Sequence, residues 1–180
     1  DIALQLAEKT GSHLVGLFAV DPAPMPRYAD GQWSNSLMAA VQEEMAELRM
    51  QAHLEFQAAA ARHPGVNCEW REDGGGALDA VALSARYADL VIAGQHQPEA
   101  DIDCRVGRHF AEDRGLLTPR PLLMIPYAGT FKTVGERVLL AWNSSPHALR
   151  AATGALPLLA GASEVSVMVF DAEKGNGAHC

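Results

Sequence analysis

Short, largely apolar runs recur along the chain, each set off from the next by a stretch with helical spacing or by glycine and proline. The runs are HLVGLFAV at 13–20, ADLVIAG at 88–94, PLLMIP at 121–126, RVLLAW at 137–142 and EVSVMVF at 164–170. A strand with one face in water alternates apolar and polar residues, so the run at 13–20 predicts a strand covered on both faces and that at 88–94 a buried strand; the other three are read as strands. Strands that alternate with helices must be joined by crossovers, and crossovers require a parallel sheet with right-handed connections. The expected fold class is therefore α/β, a doubly wound parallel sheet with helices on both faces.

The segments between the runs supply the helices. Residues 1–10 have helical spacing and are followed by Gly11, a stop signal. This stop without a start signal leads us to expect further sequence before residue 1. Residues 21–36 hold Pro22, Pro24, Pro26 and Gly31 and are expected to be loop. From 37 to about 63, Leu37, Val41, Met45, Leu48, Ala52 and Phe56 step by three or four, which predicts a long amphipathic helix ended by Pro64-Gly65. VNCEWRE at 66–72 alternates weakly, as an edge strand does. Gly74-Gly75-Gly76 is a joint before a helix over 78–87, and a weaker helix is expected over 108–117. Asn143-Ser144-Ser145-Pro146 is a helix entry, with Ser145 as cap and Pro146 at the first helical position. That helix should run to Leu159 and stop at Gly161, and the tail 171–180 is polar and glycine-rich.

Charge narrows the function. Lys plus Arg number 14 against 22 Asp plus Glu, a net charge of −8 with no basic stripe, so nucleic acid is not an expected partner. No apolar run reaches the ~18–20 residues of a membrane helix, and no membrane partner is expected. Cys68, Cys104 and Cys180 are odd in number and widely spaced, which points to reduced thiols in a cytoplasm.

From Ala88 onward the runs resemble, in series, the phrases of the universal stress protein family. ADLVIAG at 88–94 is similar to its fourth strand, PLLMIP at 121–126 to its closing strand, and RVLLAWNSS at 137–145 to its opening strand and turn. Residues 148–159 are similar to its first helix and 164–170 to its second strand. A closing strand ahead of an opening strand implies two tandem domains of the adenine nucleotide alpha hydrolase-like type. Residues 1–127 would be a first domain lacking its first strand, 128–135 a linker, and 136–180 the strand-helix-strand start of a second. The run at 137–142 is expected to begin a second sheet.

ATP-binding members of that family carry a G-x2-G-x9-G-[S/T] loop after the fourth strand, whose backbone N–H groups close on the phosphates. Gly94 and Gly107 match its first and third glycines; Gln97 replaces the second and Arg108 the hydroxyl residue. Glu99, Asp101 and Asp103 add repulsion that Arg105 and Arg108 offset only in part. Asn143 stands where the family places an Asp near the base, although a turn role suits it as well. Gly94, Gly107, Arg108 and Asn143 are thus the candidate site residues of a degenerate nucleotide loop. No bound cofactor is expected, with ATP or AMP as the alternative ligand of a stress sensor.

Other chemistry finds less support. His96, Glu99, Asp101, Asp103, Cys104 and His109 crowd one loop, but their spacing fits neither a zinc nor a calcium pattern. Ser84, Ser144 and Ser145 lack a nucleophile turn, and Cys68 beside Glu69 has nothing to activate it. Trp70 and Trp142 are expected to be structural. The resemblance implies a non-enzymatic stress-response protein that self-associates. Its partner would be a second copy or a second domain, met through the edge of the closing strand between Pro121 and Pro126.

Overall fold

The computed structural model describes residues 1–21, 31–95 and 120–169. The order is α1 (Ile2–Thr10), β1 (Leu14–Ala19), α2 (Gly31–Ala60), β2 (Cys68–Asp73), α3 (Ala77–Ala85), β3 (Val91–Gly94), β4 (Leu122–Ile125), β5 (Arg137–Trp142), α4 (Pro146–Gly154), α5 (Leu156–Ala160) and β6 (Glu164–Val169). The strands pair as β1–β2, β3–β4 and β5–β6, all parallel, giving three two-stranded sheets among the described residues.

Gly11 ends α1 as its position in the sequence predicts. It adopts φ 63, and the Ser12 N–H reaches back 2.9 Å to the Ala7 carbonyl, satisfying a helix-end acceptor. Leu4, Leu6 and Ala7 are buried in α1; Leu4 and Ala7 join Val66 in a small core, with Leu14, Ala59, Ala60 and Cys68 around it. Arg62 bonds Asp1, and His63 Nδ1 lies 2.9 Å from Glu8 Oε2, so polar ties fasten the end of α2 to α1.

Register places the helices on the β1–β2 sheet. Gly16 is opposite Trp70 and Leu14 opposite Cys68, so these side chains share a face. That face takes α1 through Leu14 and α2 through Phe56 and His53. His53 stacks on Trp70 at 5.0 Å and Phe56 tilts against it at 5.3 Å. Gly16 leaves room for the Phe56 ring, since a Cβ there would sit 2.6 Å from Cε2. The opposite face, carrying Leu17 and Arg71, borders a hollow with Leu83, Ser84 and Tyr87 of α3 and its C-terminal turn. Helices therefore cover both faces, in a doubly wound arrangement.

Three expectations need correction. The helix expected from Leu37 begins at Gly31, so 31–36 is helical and not loop, and it ends at Ala60. Once a helix is nucleated each added residue gains a backbone bond at little cost, which carries a weak helix former such as Asn35 or Ser36. Along α2 the expected apolar stripe is half-buried at Val41, Met45, Ala52 and Phe56, while Leu37 and Leu48 are exposed. The single helix expected to Leu159 is two, α4 and α5, because Pro157 has no N–H to continue the ladder and sits in the first turn of α5. Gly161 does end α5, but at φ −93, without the left-handed turn of Gly11. The strands expected to be buried, at 13–20 and 88–94, are half-buried along β1 and β3, with Gly94 exposed.

Candidate functional site

In a parallel α/β sheet, ligands gather at the carboxyl ends of the strands, where helix N-termini and loops converge. Here those ends are Asp21 after β1, Asp73 closing β2, Gly94 closing β3 and Asn143 after β5.

Gly76 enters α3 at φ 104, a conformation that glycine adopts without steric cost, and brings no side chain to cap the helix. The cap comes from across the fold: Asp21 Oδ1 accepts the Ala77 N–H at 2.9 Å. A carboxylate at a helix N-terminus also meets the positive end of the helix dipole. Asp73 Oδ1 accepts the Gly75 N–H at 2.8 Å and shapes the glycine joint. Both strand-end carboxylates are thereby turned onto backbone donors that an anionic ligand would otherwise use. No local pattern selects Asp21, because its partner lies 56 residues away; its place directly after an apolar run is the one hint the sequence holds.

Gly94 is exposed, and a Cβ built on it would meet nothing within 4 Å. Its φ lies outside the positive range, so neither backbone nor neighbours require glycine there. Gly107 and Arg108 lie outside the described residues, as do Gln97, the acidic loop residues 99–103 and the helix expected over 108–117.

Asn143 is part of a helix entry. Its Oδ1 accepts the Ser145 N–H at 3.1 Å, Ser144 takes φ 58, and Ser145 Oγ caps α4 by accepting the Ala148 N–H at 3.1 Å. The turn role for Asn143 is thus formed, and its oxygen is engaged in it. Gly94 and Asn143 lie at the ends of strands in separate sheets, with no ladder between β3 and β5 among the described residues.

Charge elsewhere is local and exposed. On β2, the Arg71 guanidinium hydrogen-bonds Glu69 at 2.6 and 3.0 Å, holding that carboxyl below its ordinary range and raising Arg71. Among the described residues no group of three or more His, Cys, Asp or Glu is placed to hold a metal, and Cys68 is a half-buried free thiol. No described helix is long and apolar enough to cross a membrane.

Two close approaches link the β5–β6 unit to the rest. The Gly154 backbone of α4 lies against Pro121, where a Cβ would sit 2.8 Å from the ring's Cγ, and Gly161 lies near the Lys9 ammonium of α1.

No family model and no curated protein matches the chain. Among solved structures it is similar to universal stress protein UspA from Lactobacillus plantarum, at 18% identity over 68% of this chain and 83% of that one, with a TM-score of 0.53. It is also similar to a protein from the universal stress protein family from Burkholderia pseudomallei, at 27% identity over 69% and 81%, with a TM-score of 0.42. Parallel strands, helices on both faces and the likeness to UspA together give this chain the α/β fold of a universal stress protein.

Proposed function

We propose that the chain is a universal-stress-protein-like, cytoplasmic stress-response protein that works by association rather than by turnover or tight ATP binding. The observation that carries this reading is at β4. Its inner edge is paired to β3, its outer edge has no strand partner among the described residues, and Pro121 at its head already receives the Gly154 backbone. A parallel edge left open is a template for another strand. The partner is a second copy or the second domain that residues 136–180 would begin after a linker at 128–135. Pairing of β5 with β6 in a sheet of their own supports that division.

Against a tight ATP site stand the carboxylates of Asp21 and Asp73 at the strand ends and the engaged oxygen of Asn143. The degenerate pattern of Gly94, Gly107 and Arg108 weighs the same way. The test has two arms. Light scattering should find a dimer that Met124→Pro dissolves, because the Met124 N–H points away from β3 and its loss leaves the β3–β4 ladder intact. Titration with labelled ATP, with and without Mg²⁺, should give no saturation in the micromolar range. Micromolar binding would install the ATP- or AMP-binding sensor instead, and a monomer at all concentrations would remove the association reading.

A further inference from the structure

Strand β2 ends at Asp73, and the chain leaves it through an Asp-Gly step followed by two more glycines. Asp73 is half-buried and is the last residue registered with β1, opposite Ala19. Gly74 and Gly75 are exposed and belong to no helix or strand. Gly74 has an ordinary φ, and a Cβ built on it would meet nothing within 4 Å. The other Asp-Gly step, at 30–31, has its aspartate outside the described residues.

The nitrogen of Gly74 and the Cγ of Asp73 can close a five-membered ring, since the carbonyl carbon, Cα and Cβ of Asp73 supply its other three atoms. Glycine puts no Cβ beside that nitrogen and leaves its backbone the widest freedom to approach. The Gly75 N–H donates to Asp73 Oδ1 at 2.8 Å, which folds the carboxyl back along the Gly74 peptide. The same donor sits on the oxygen where negative charge develops as Cγ becomes tetrahedral. Asp79 lacks this setting. The nitrogen that would attack it belongs to buried Ala80 and is held by a helical hydrogen bond, 3.1 Å from the Gly76 carbonyl.

We propose that Asp73 is a modification site at which the folded chain isomerises spontaneously to isoaspartate. In the first step a bond forms between the Gly74 nitrogen and Cγ of the protonated carboxyl, and the Cγ–Oδ2 bond breaks. The hydroxyl and the amide proton leave together as water. In the second step water adds to the ring. Opening at Cγ restores aspartate; opening at the former backbone carbonyl routes the chain through Cβ and Cγ and leaves a free α-carboxylate. No oxidant or cofactor takes part, and the net mass is unchanged. The added backbone carbon lies just ahead of the Gly75-Gly76 turn, which presents the Ala77 N–H to Asp21 at 2.9 Å. Lengthening the joint there draws the donor away from its cap and loosens the start of α3. The proposal is independent of how β4 associates.

The full chain is aged near neutral pH in heavy-oxygen water. Trypsin, cutting after Arg71 and Arg86, then releases the peptide 72–86, which holds both Asp73 and Asp79. Expected is a chromatographically distinct isomer of this peptide that carries heavy oxygen, with backbone fragmentation placing the change at 73. Conversion at 79 should be about 2–10-fold slower, the rate equivalent of the hydrogen bond that holds the Ala80 nitrogen. Gly74→Ala, which the ordinary φ and open surroundings accept, should slow conversion at 73 by about 2–5-fold, the worth of the backbone freedom that a Cβ removes. Asp73→Glu, whose extra methylene forbids the five-membered ring, should abolish it. In the isomerised fraction the Ala77 amide should exchange faster. Three results overturn the proposal. The first is no isomer at 73, and the second is conversion at 73 and 79 alike or indifferent to Gly74→Ala. The third is slower conversion in the folded chain than in urea, which would mean that the fold holds the carboxyl away from its nitrogen. An isomerised chain with unchanged Ala77 exchange would overturn the link to α3.

Discussion

Gly16 faces Phe56 so closely that one methyl group tests the packing of α2 on the first sheet. A Cβ at this position would stand 2.6 Å from Cε2, 2.8 Å from Cδ2 and 3.0 Å from Cζ of the ring, where ordinary contact begins at 3.4 Å. The ring must therefore retreat by roughly 1 Å in an already filled space, and Trp70, at 5.3 Å between centroids, stands beside it. Overpacking of this kind costs roughly 1–3 kcal/mol. Replacing glycine where φ is ordinary returns about 0.4–1 kcal/mol by restricting the unfolded chain. Gly16→Ala should thus destabilise by ~1–2 kcal/mol, or about 2–8 °C in Tm for a chain of this size. Urea unfolding followed by tryptophan fluorescence reads it as a lower midpoint at unchanged slope. The control is Phe56→Ala, which empties the space: in that background Gly16→Ala should be neutral or stabilising, a coupling of ~1–3 kcal/mol. An equal cost in both backgrounds would refute the assigned contact between α2 and β1.

Removing the remote cap by Asp21→Ala should cost ~0.5–2 kcal/mol and speed exchange at the Ala77 amide far more than at Ala148. Ser145→Ala should show the converse, losing ~1 kcal/mol with faster exchange at Ala148. At β2, Arg71→Ala should let the Glu69 carboxyl titrate at a higher pH, read by carboxyl NMR shifts. Glu69 is depressed in the folded chain, so what its pairing contributes is present above its unfolded pKa and fades as pH falls through the folded one; a titration unmoved by the substitution would rule out Arg71 as the cause.

The features legible in the sequence are those decided within a few residues. RVLLAW forms β5 with the expected bounds, Ser145 and Pro146 open α4 as cap and first residue, and Gly11 closes α1 in a left-handed turn. Each of these is decided by local dihedrals and bonds. The start of α2 is hidden because Gly31 and the polar residues after it carry turn propensity that a 30-residue helix overrides. The break at Pro157 is masked by the alanine and leucine around it. In the sequence Trp70 is an edge residue of a weakly alternating strand. Only register shows that it stands opposite Gly16 and fills the space beneath α2.

The candidate site is least legible for a related reason: spacing finds glycines but not what their neighbours bond. Gly94 matches the first position of a phosphate loop, yet its surroundings are open and its backbone ordinary. The residue that organises the rim is Asp21, which no spacing rule selects. Its carboxylate holds the N-terminus of α3, so the first turn that could receive a phosphate is the same one that fixes α3 over β1. A ligand anion there would have to displace Asp21 and loosen the connection that carries the chain to β3. Fold and phosphate would compete for the Ala77 N–H, and in this chain Asp21 accepts it. The outer edge of β4, which has no strand partner among the described residues, faces no such competition.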